Sequence, residues 1–385
     1  MTGAPHSSRT STYDITLGAL GIAVAAGIPT VLWGGPGEGK TSVVQATADA
    51  LDLHLEVVLA SVREPTDFAG LPVVDAARGR VRMAPPDWAV RCVEASAAGR
   101  RPAVFFDEVS CAAPATQAAL LRVCCDRVVG DLALPADTVI LAAANPPSVA
   151  ADGWELAAPM ANRFCHLDWR LPASVVVAGF LQGWPAPITP SLPADLSPFL
   201  AQARAAVSSY LRVRPGDVSV LPKDAAAAGR AFPTPRTWDY ASRLLAVCEA
   251  SGAGEDVARL LLAGVVGEAA ALQFLSYQCE LDLPDPEQVL ADPDAFVLPD
   301  RGDRAYAALA AVVAAVFADF TPARWEAGVR AVAQSALQDK ADVGAVLMTA
   351  LVSRRPQVGG VSAPLPAEIK AFLPVLRRAG LLAAA

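Results

Sequence analysis

Apolar residues fall into two regimes along this chain. Through position 171, short solid apolar runs alternate with longer stretches in which apolar residues recur every three or four positions, as on one face of a helix. The spacing predicts a helix over Leu17–Ala26, a strand over Thr30–Trp33 that runs into a glycine-rich turn, and a helix over Thr41–Leu51. Further strands are predicted over Leu55–Ala60, Ala103–Phe106 and Thr138–Ala144, with helices over Asp87–Ala98 and Ala115–Cys125 between them. Strands alternating with helices imply an α/β class whose parallel sheet is covered on both faces. Beyond Leu171 the alternation stops. Proline-rich sequence from Pro172 to Pro198 leads to helices predicted over Phe199–Leu211, Thr237–Ala250 and Val257–Tyr277, and an acidic, proline-containing stretch from Leu283 to Asp303 precedes more helices. The expected organisation is an α/β core over 1–171, a helical lid over 172–285 and a C-terminal helical extension over 286–385.

Composition agrees with a well-packed, helix-rich globular protein, because hydrophobic residues make up 54% and charged ones only 18%. The most apolar run, Ala305 to Phe317, is too short to span a bilayer, and the run from Leu260 to Leu275 is broken by Glu268, so both are expected to be buried helices. No basic-then-apolar signal segment opens the chain, and the stretch through Thr12 is small, polar and expected to be loose, which makes the cytoplasm the expected compartment. Seven cysteines include the adjacent Cys124 and Cys125 but no CxxC pair, and they are expected to be reduced thiols, mostly buried. Of three histidines, His6 falls in the loose tail, and His166 beside Cys165 is expected to be a packing or sheet-edge residue rather than a metal ligand. A net charge of -8 gives no general attraction to phosphate backbones or anionic membranes, and Arg100-Arg101, Arg354-Arg355 and Arg377-Arg378 are isolated pairs rather than a basic stripe. Nucleic acid and membrane are therefore not expected partners.

The chemistry concentrates at three strand ends. Gly34-Gly35-Pro36-Gly37-Glu38-Gly39-Lys40-Thr41, with Ser42 following, fits G-x-x-x-x-G-K-[ST] between a predicted strand and a predicted helix. Its glycines let successive N–H groups and a helix N-terminus face an anion, Lys40 reaches the outer phosphates of ATP, and Thr41 reaches Mg2+. The apolar strand ending at Phe106 is followed by Asp107 and Glu108. Alone, such a pair is an ordinary solvated loop start. Beside the phosphate loop it reads as a Walker B segment, with Asp107 holding Mg2+ and Glu108 polarising the attacking water. A third apolar strand ends on Asn145, followed by Pro146 and Pro147, which force the chain out of the sheet.

These motifs resemble the AAA+ pattern, and Phe106-Asp107-Glu108-Val109 followed by Pro114-Ala115-Thr116-Gln117-Ala118-Ala119-Leu120-Leu121 resembles its MoxR branch. Glu64 to Pro72 resembles the start of that branch's helix-2 insert, and Arg127 to Leu134 the hairpin before sensor 1. Pro159-Met160-Ala161-Asn162-Arg163-Phe164 resembles its segment ending in arginine and phenylalanine, with Asn162 where aspartate is common, and Phe232-Pro233-Thr234-Pro235-Arg236-Thr237-Trp238 resembles the sensor 2 signature. The resemblance covers about Thr30 to Ala246 and leaves the last hundred residues without a family feature. It implies a P-loop NTPase of the AAA+ αβα type, with Asn145 as sensor 1, Arg163 as arginine finger and Arg236 as a second phosphate-contacting cation. It also implies a ring, a hexamer, that remodels a protein client with a partner carrying a von Willebrand factor A domain. Two other readings share the motifs: an ATP-driven nucleic-acid translocase, against which the acidic charge counts, and a slow nucleotide-dependent signalling switch.

Overall fold

A computed structural model describes residues 11–146, 154–279, 283–358 and 361–382 of the chain. Two compact units divide it, one formed by Met1–Leu192 with Ser219–Leu272 and the other by Pro193–Val218 with Gln273–Ala385. The division is interleaved, where the sequence suggested contiguous segments with boundaries near 171 and 285.

The first unit is organised by strands β1 (Thr30–Trp33), β2 (His54–Leu59), β3 (Pro102–Asp107), β4 (Val139–Ala144) and β5 (Cys165–Asp168), in the order β2-β3-β4-β1-β5. All neighbours are parallel. β1, β3 and β4 are internal and buried along their apolar lengths, which is why they read as solid runs, whereas β2 lies at an edge and leaves Val57 and Leu59 exposed. Helices α1 (Thr12–Ala25), α2 (Lys40–Ala50), α3 (Asp87–Ala97) and α4 (Pro114–Asp126) belong to the same unit. Trp88 of α3 and Leu120 of α4 pack with Val31, Phe106 and Ile140 on one sheet face. There Phe68, Trp88 and Phe106 meet edge-on or tilted at 5.9–6.5 Å between ring centroids. The resulting core is the α/β class with a parallel sheet that the alternation predicted, and its glycine loop after β1 gives it the P-loop form that the motif implied; a helical C-terminal region follows.

Several expectations need correction. Residues 1–10 lie outside the described residues, but Ser11 and Thr12, expected to be loose, open a helix. Ser11 caps α1 by accepting from the Asp14 amide at 3.1 Å, and Thr12 is already helical. The fifth strand was not predicted, because Cys-His-Leu-Asp is four residues long and carries no alternation of its own. Within the proline-rich stretch a helix, α5 (Ala173–Gln182), forms. The helix predicted over Val257–Tyr277 is two, α8 (Glu255–Val266) and α9 (Glu268–Cys279), separated at Gly267, whose φ of +81° suits glycine. Between α5 and these run α6 (Ser197–Val213) and α7 (Pro235–Ser251), both near their predicted places.

In the second unit α6 packs with α10 (Pro286–Ala291), α11 (Gly302–Ala318), α12 (Pro322–Leu337) and α13 (Ala341–Ser353) around Leu309, Val316, Trp325, Val329 and Leu351. The acidic stretch from Leu283 contributes to this core, since Val289, Leu290, Phe296 and Leu298 are buried in it. Gly328 permits the approach of α12 to α11, where a Cβ would come within 2.7 Å of Val316. No helix among the described residues is long and apolar enough to cross a membrane. All seven cysteines are free, with Cys92, Cys124, Cys165 and Cys248 buried.

His166 lies on the edge strand β5, and both ring nitrogens are engaged: Nδ1 accepts from Trp33 Nε1 and Nε2 donates to the Ala161 carbonyl, each at 2.9 Å. It is a packing residue. Burial pushes its pKa from 6.5 down to about 4, helped by Arg230 and opposed by the Ala161 hydrogen bond and Asp168. Because the unfolded chain binds a proton below its ordinary pKa and the folded chain does not, this residue's contribution is full above pH 6.5 and falls as pH drops toward 4. The expected loss is about 2 kcal/mol between pH 6.5 and 5. Urea titrations across that range should have a shallower pH slope for His166→Gln than for the wild type; equal slopes would show that His166 does not carry the effect.

Candidate active site

Parallel strands present their carboxyl ends to one edge of the sheet, and that edge is where open α/β folds bind ligands. The registers align those ends: Trp33 pairs with Ala144 and Leu59 with Asp107. From β1 the chain enters the Gly34–Thr41 loop, from β3 it leaves at Asp107–Glu108, and from β4 at Asn145. Gly37 and Gly39 have φ of +77° and +76°, a region that L side chains rarely adopt, while a Cβ on Gly34 would come within 2.7 Å of the Trp169 carbonyl. Gly39 is the N-cap of α2 and supplies no side-chain cap, so the first-turn N–H groups of the helix are left for an anion.

Lys40 is the centre of the arrangement. Its side chain is buried, and Nζ donates to the carbonyls of Gly34 and Gly35, both at 2.8 Å, and to Asn145 Oδ1 at 2.9 Å. Burial lowers its pKa, against the opposing pull of Asp107, Glu38 and Glu108. Thr41 Oγ1 donates to Asp107 Oδ2 at 2.7 Å, and the other Asp107 oxygen accepts from the Glu108 amide at 2.9 Å. Glu108 takes a left-handed backbone, φ +57°, and its carboxylate accepts from Ser61 Oγ at 2.6 Å. The loop residues Pro36–Ser42 line a cavity of about 340 Å3 with Asp107, Glu108, Ala143 and Asn145. Thus the structure brings together the phosphate loop, both carboxylates and Asn145.

Three supporting residues escaped the sequence reading. Ser61 follows β2, the strand paired with β3, and only that pairing sets it beside Glu108. Ser110 Oγ accepts from the Asn145 amide at 3.0 Å and so fixes the turn out of β4. Trp169 Nε1 donates to the Glu38 carbonyl at 2.8 Å, and the Glu38 carboxylate accepts from the Gly35 amide at 3.1 Å; together these brace the loop from both sides. Their signal lies in strand order, which one sequence does not display.

Neither Arg163 nor Arg236 lines the phosphate cavity. Both lie near Asn162, Arg163 as its neighbour in sequence and Arg236 through a side-chain hydrogen bond. Arg163 follows the one-turn helix Ala158–Ala161, and its guanidinium donates to Cys125 Sγ and the Pro159 carbonyl. Arg236 lies in the first turn of α7, after Pro235 at its start, and donates to Asn162 Oδ1 at 3.5 Å. That helix is opened by a capping box in which Thr234 and Thr237 exchange side-chain and backbone hydrogen bonds. The buried Asn162 amide closes on the same turn: Nδ2 donates to the Phe232 carbonyl at 3.1 Å and Oδ1 accepts from Thr234 Oγ1 at 2.9 Å. An aspartate could accept but not donate, so the local turn gives a reason for an amide at this position. The predicted insert carries a short helix, Thr66–Ala69, and an antiparallel ribbon of Leu71–Asp75 with Arg80–Ala84; the second predicted hairpin pairs Val128–Val129 with Leu132–Ala133. Pro147 lies outside the described residues.

No family profile and no curated protein matches the chain. Among solved structures it is similar to a Cytophaga hutchinsonii protein proposed to be an ATPase, at 16% identity over 66% of this chain and 80% of that one, with a TM-score of 0.41. A likeness that distant does not bear on function. The fold rests on this chain's own strand order and loop geometry.

The Asn162 clamp is testable by stability. Asn162→Ala removes the Nδ2 donor to the buried Phe232 carbonyl, which keeps only Thr237 Oγ1 at 3.1 Å, and the acceptor of Thr234 Oγ1, and should cost about 1–3 kcal/mol in chemical denaturation; a loss below about 0.5 kcal/mol would mean that the capping box alone holds the start of α7.

Proposed function

We propose that this chain is a Mg2+-dependent ATPase of the AAA+ kind, similar to the MoxR branch, that couples hydrolysis to remodelling, assembly or activation of a protein client. The observation that carries the reading is the convergence of Lys40, Thr41, Asp107, Glu108 and Asn145 on one cavity at the carboxyl ends of β1, β3 and β4. Thr41 and Asp107 offer adjacent hard oxygen donors, few enough to suit a Mg2+ ion that keeps waters and phosphate oxygens in its shell. When bound there, that ion neutralises charge on the outer phosphates.

The protein's own part follows from its geometry. The α2 N-terminus and the loop amides receive the phosphates. Lys40, already stripped of much of its water, exchanges carbonyl partners for phosphate oxygens at little further desolvation. Glu108 accepts the proton of the attacking water once it turns from Ser61, and the Asn145 amide orients that water. Charge developing on the transferred phosphoryl group needs a further cation. Arg163, absent from its own subunit's phosphate cavity, is assigned to the site of a neighbouring subunit, and Arg236 is a second phosphate-contacting cation. The functional form in this reading is a ring, a hexamer, working with a von Willebrand factor A domain partner; the motif resemblance is what supports that finer part.

Lys40→Ala should weaken Mg-ATP binding about tenfold to a hundredfold, and Glu108→Gln should retain binding while lowering turnover at least about 10²-fold. Arg163→Ala should bind nucleotide normally but lose about 10³-fold in turnover. Steady-state phosphate release from mixtures decides whether sites are shared. A Lys40→Ala subunit keeps a good arginine and an Arg163→Ala subunit keeps a good loop, so mixing them should restore part of the activity that each lacks. Wild-type turnover by Arg163→Ala, or full activity of dilute monomers, would remove the shared site.

A further inference from the structure

The amino ends of the strands, away from the phosphate loop, carry a chemistry of their own. Arg101 stands immediately before β3, Arg127 follows the last turn of α4, and Arg243 lies on α7. In the sequence these residues are scattered, Arg101 being half of an isolated pair. The fold gathers them where β1, β3 and β4 begin. Arg101 Nε donates to the Asp137 carbonyl at 2.8 Å, Arg127 Nε to the Thr138 carbonyl at 3.3 Å, and Arg243 Nη2 to the Ala26 carbonyl at 2.6 Å. Each thus holds the chain shortly before β4 or β1, and all three residues are half-buried.

What these guanidiniums lack is a counter-charge. Every acceptor just named is a neutral carbonyl, and among the described residues none of the three arginines forms an ion pair. They do feel one another: burial lowers the Arg101 pKa, opposed by Asp137 and helped by Arg127, and burial raises that of Tyr240 against the pull of Arg236, Arg243 and Arg127. In a chain of net charge -8, cations gathered against their mutual repulsion leave a local want of negative charge. Arg101 and Arg243 meet at Gly27. A Cβ there would lie 3.4 Å from Arg243 Nη2 and 3.6 Å from Arg101 Nη2, and only a glycine leaves that point empty. A slight closing of the two side chains would bring both to the ~2.7–2.9 Å of a charge-assisted hydrogen bond with an oxygen placed there. The Gly27 amide is already spent on the Val24 carbonyl at 3.1 Å, so recognition falls to the guanidiniums, which match phosphate oxygens in charge and geometry.

We propose that Arg101 and Arg243, with Arg127 adding charge, form a site at Gly27 for a multiply charged oxyanion of phosphate chemistry, so that the bound anion ties α7 to the starts of β1 and β3. The site is separate from the Lys40 cavity and does not depend on the ATPase reading. Free inorganic phosphate and a phosphate monoester on a larger molecule share the chemistry. The test is calorimetric titration of the full chain with inorganic phosphate and with N-acetyl-phosphoserine amide, in sodium chloride at matched ionic strength. Because phosphate can also enter the loop, Lys40→Ala is titrated beside the wild type. Lys40→Ala should retain a site with Kd on the order of 1 mM or tighter, and adding Arg101→Gln or Arg243→Gln to it should weaken that site about tenfold. Tighter binding of the phosphoserine compound would mark a group carried by a partner, and tighter binding of inorganic phosphate a free ion. Gly27 has φ +65°, a region that aspartate also enters, so Gly27→Asp should place a carboxylate between the guanidiniums and abolish phosphate binding; the arginine variants keep the test valid if it folds poorly. No binding of either probe to Lys40→Ala, or equal binding with and without Arg101 and Arg243, would overturn the site while leaving Mg-ATP binding by the wild type, and the ATPase reading, untouched. Phosphate binding by Lys40→Ala together with a wild type that fails to bind Mg-ATP would support the site and overturn that reading.

Discussion

A cation held under the sheet edge, with oxygen atoms arranged around it, is the constraint on which this protein's site depends. The Lys40 ammonium joins two loop carbonyls to Asn145, 105 positions further along the chain, and an unpaired charge at that depth would be expensive. Satisfying it requires β1 and β4 to be neighbours in register, which the sheet provides by pairing Trp33 with Ala144. It also requires the loop to turn its carbonyls inward, which Gly37 and Gly39 allow. Once those conditions hold, Thr41 reaches Asp107 from the next residue of α2. Fold and site are here one solution to a single electrostatic requirement.

What could be read in advance follows from what periodicity encodes. Internal strands such as β3 and β4 are apolar on both faces, so burial wrote them as solid runs, and the carboxylates and amide at their ends stood out by contrast. The loop was legible because G-x-x-x-x-G-K-[ST] between a strand and a helix is a spacing whose function as an anion cradle is known in advance of any one structure. The edge strand β5 was not, since four mixed residues owe their strand state to pairing with β1 rather than to any pattern of their own. Gly267 was passed over because the apolar spacing continues on both sides of it; only its backbone angle separates α8 from α9. Ser61, Ser110 and Trp169 belong to the same class of omission. Each acts through a contact decided by strand order.

Asn162 illustrates a different limit. Its position in the motif was recognisable, yet its work is done through the amide nitrogen, which caps the Phe232 carbonyl and so seats the start of α7 together with Arg236. Sequence comparison flags such a residue as a departure. Hydrogen-bond inventory explains it as a requirement, because the local turn offers an acceptor and a hydroxyl donor at once.

The interleaving of the two units bears on how the chain can be made. Helix α6 is synthesised before Ser219–Leu272 but packs with α11, which begins at Gly302. On a ribosome adding ~5–20 residues per second, the apolar side of α6 therefore waits on the order of seconds for its cover. During that wait Ala205, which the finished protein buries in one core with α11, α12 and α13, lacks the cover those helices give it. Vectorial synthesis thus leaves the nascent chain with a window of vulnerability in its middle rather than at its end. The C-terminal hundred residues are consequently no appendage: they complete a domain whose first helix was laid down far upstream.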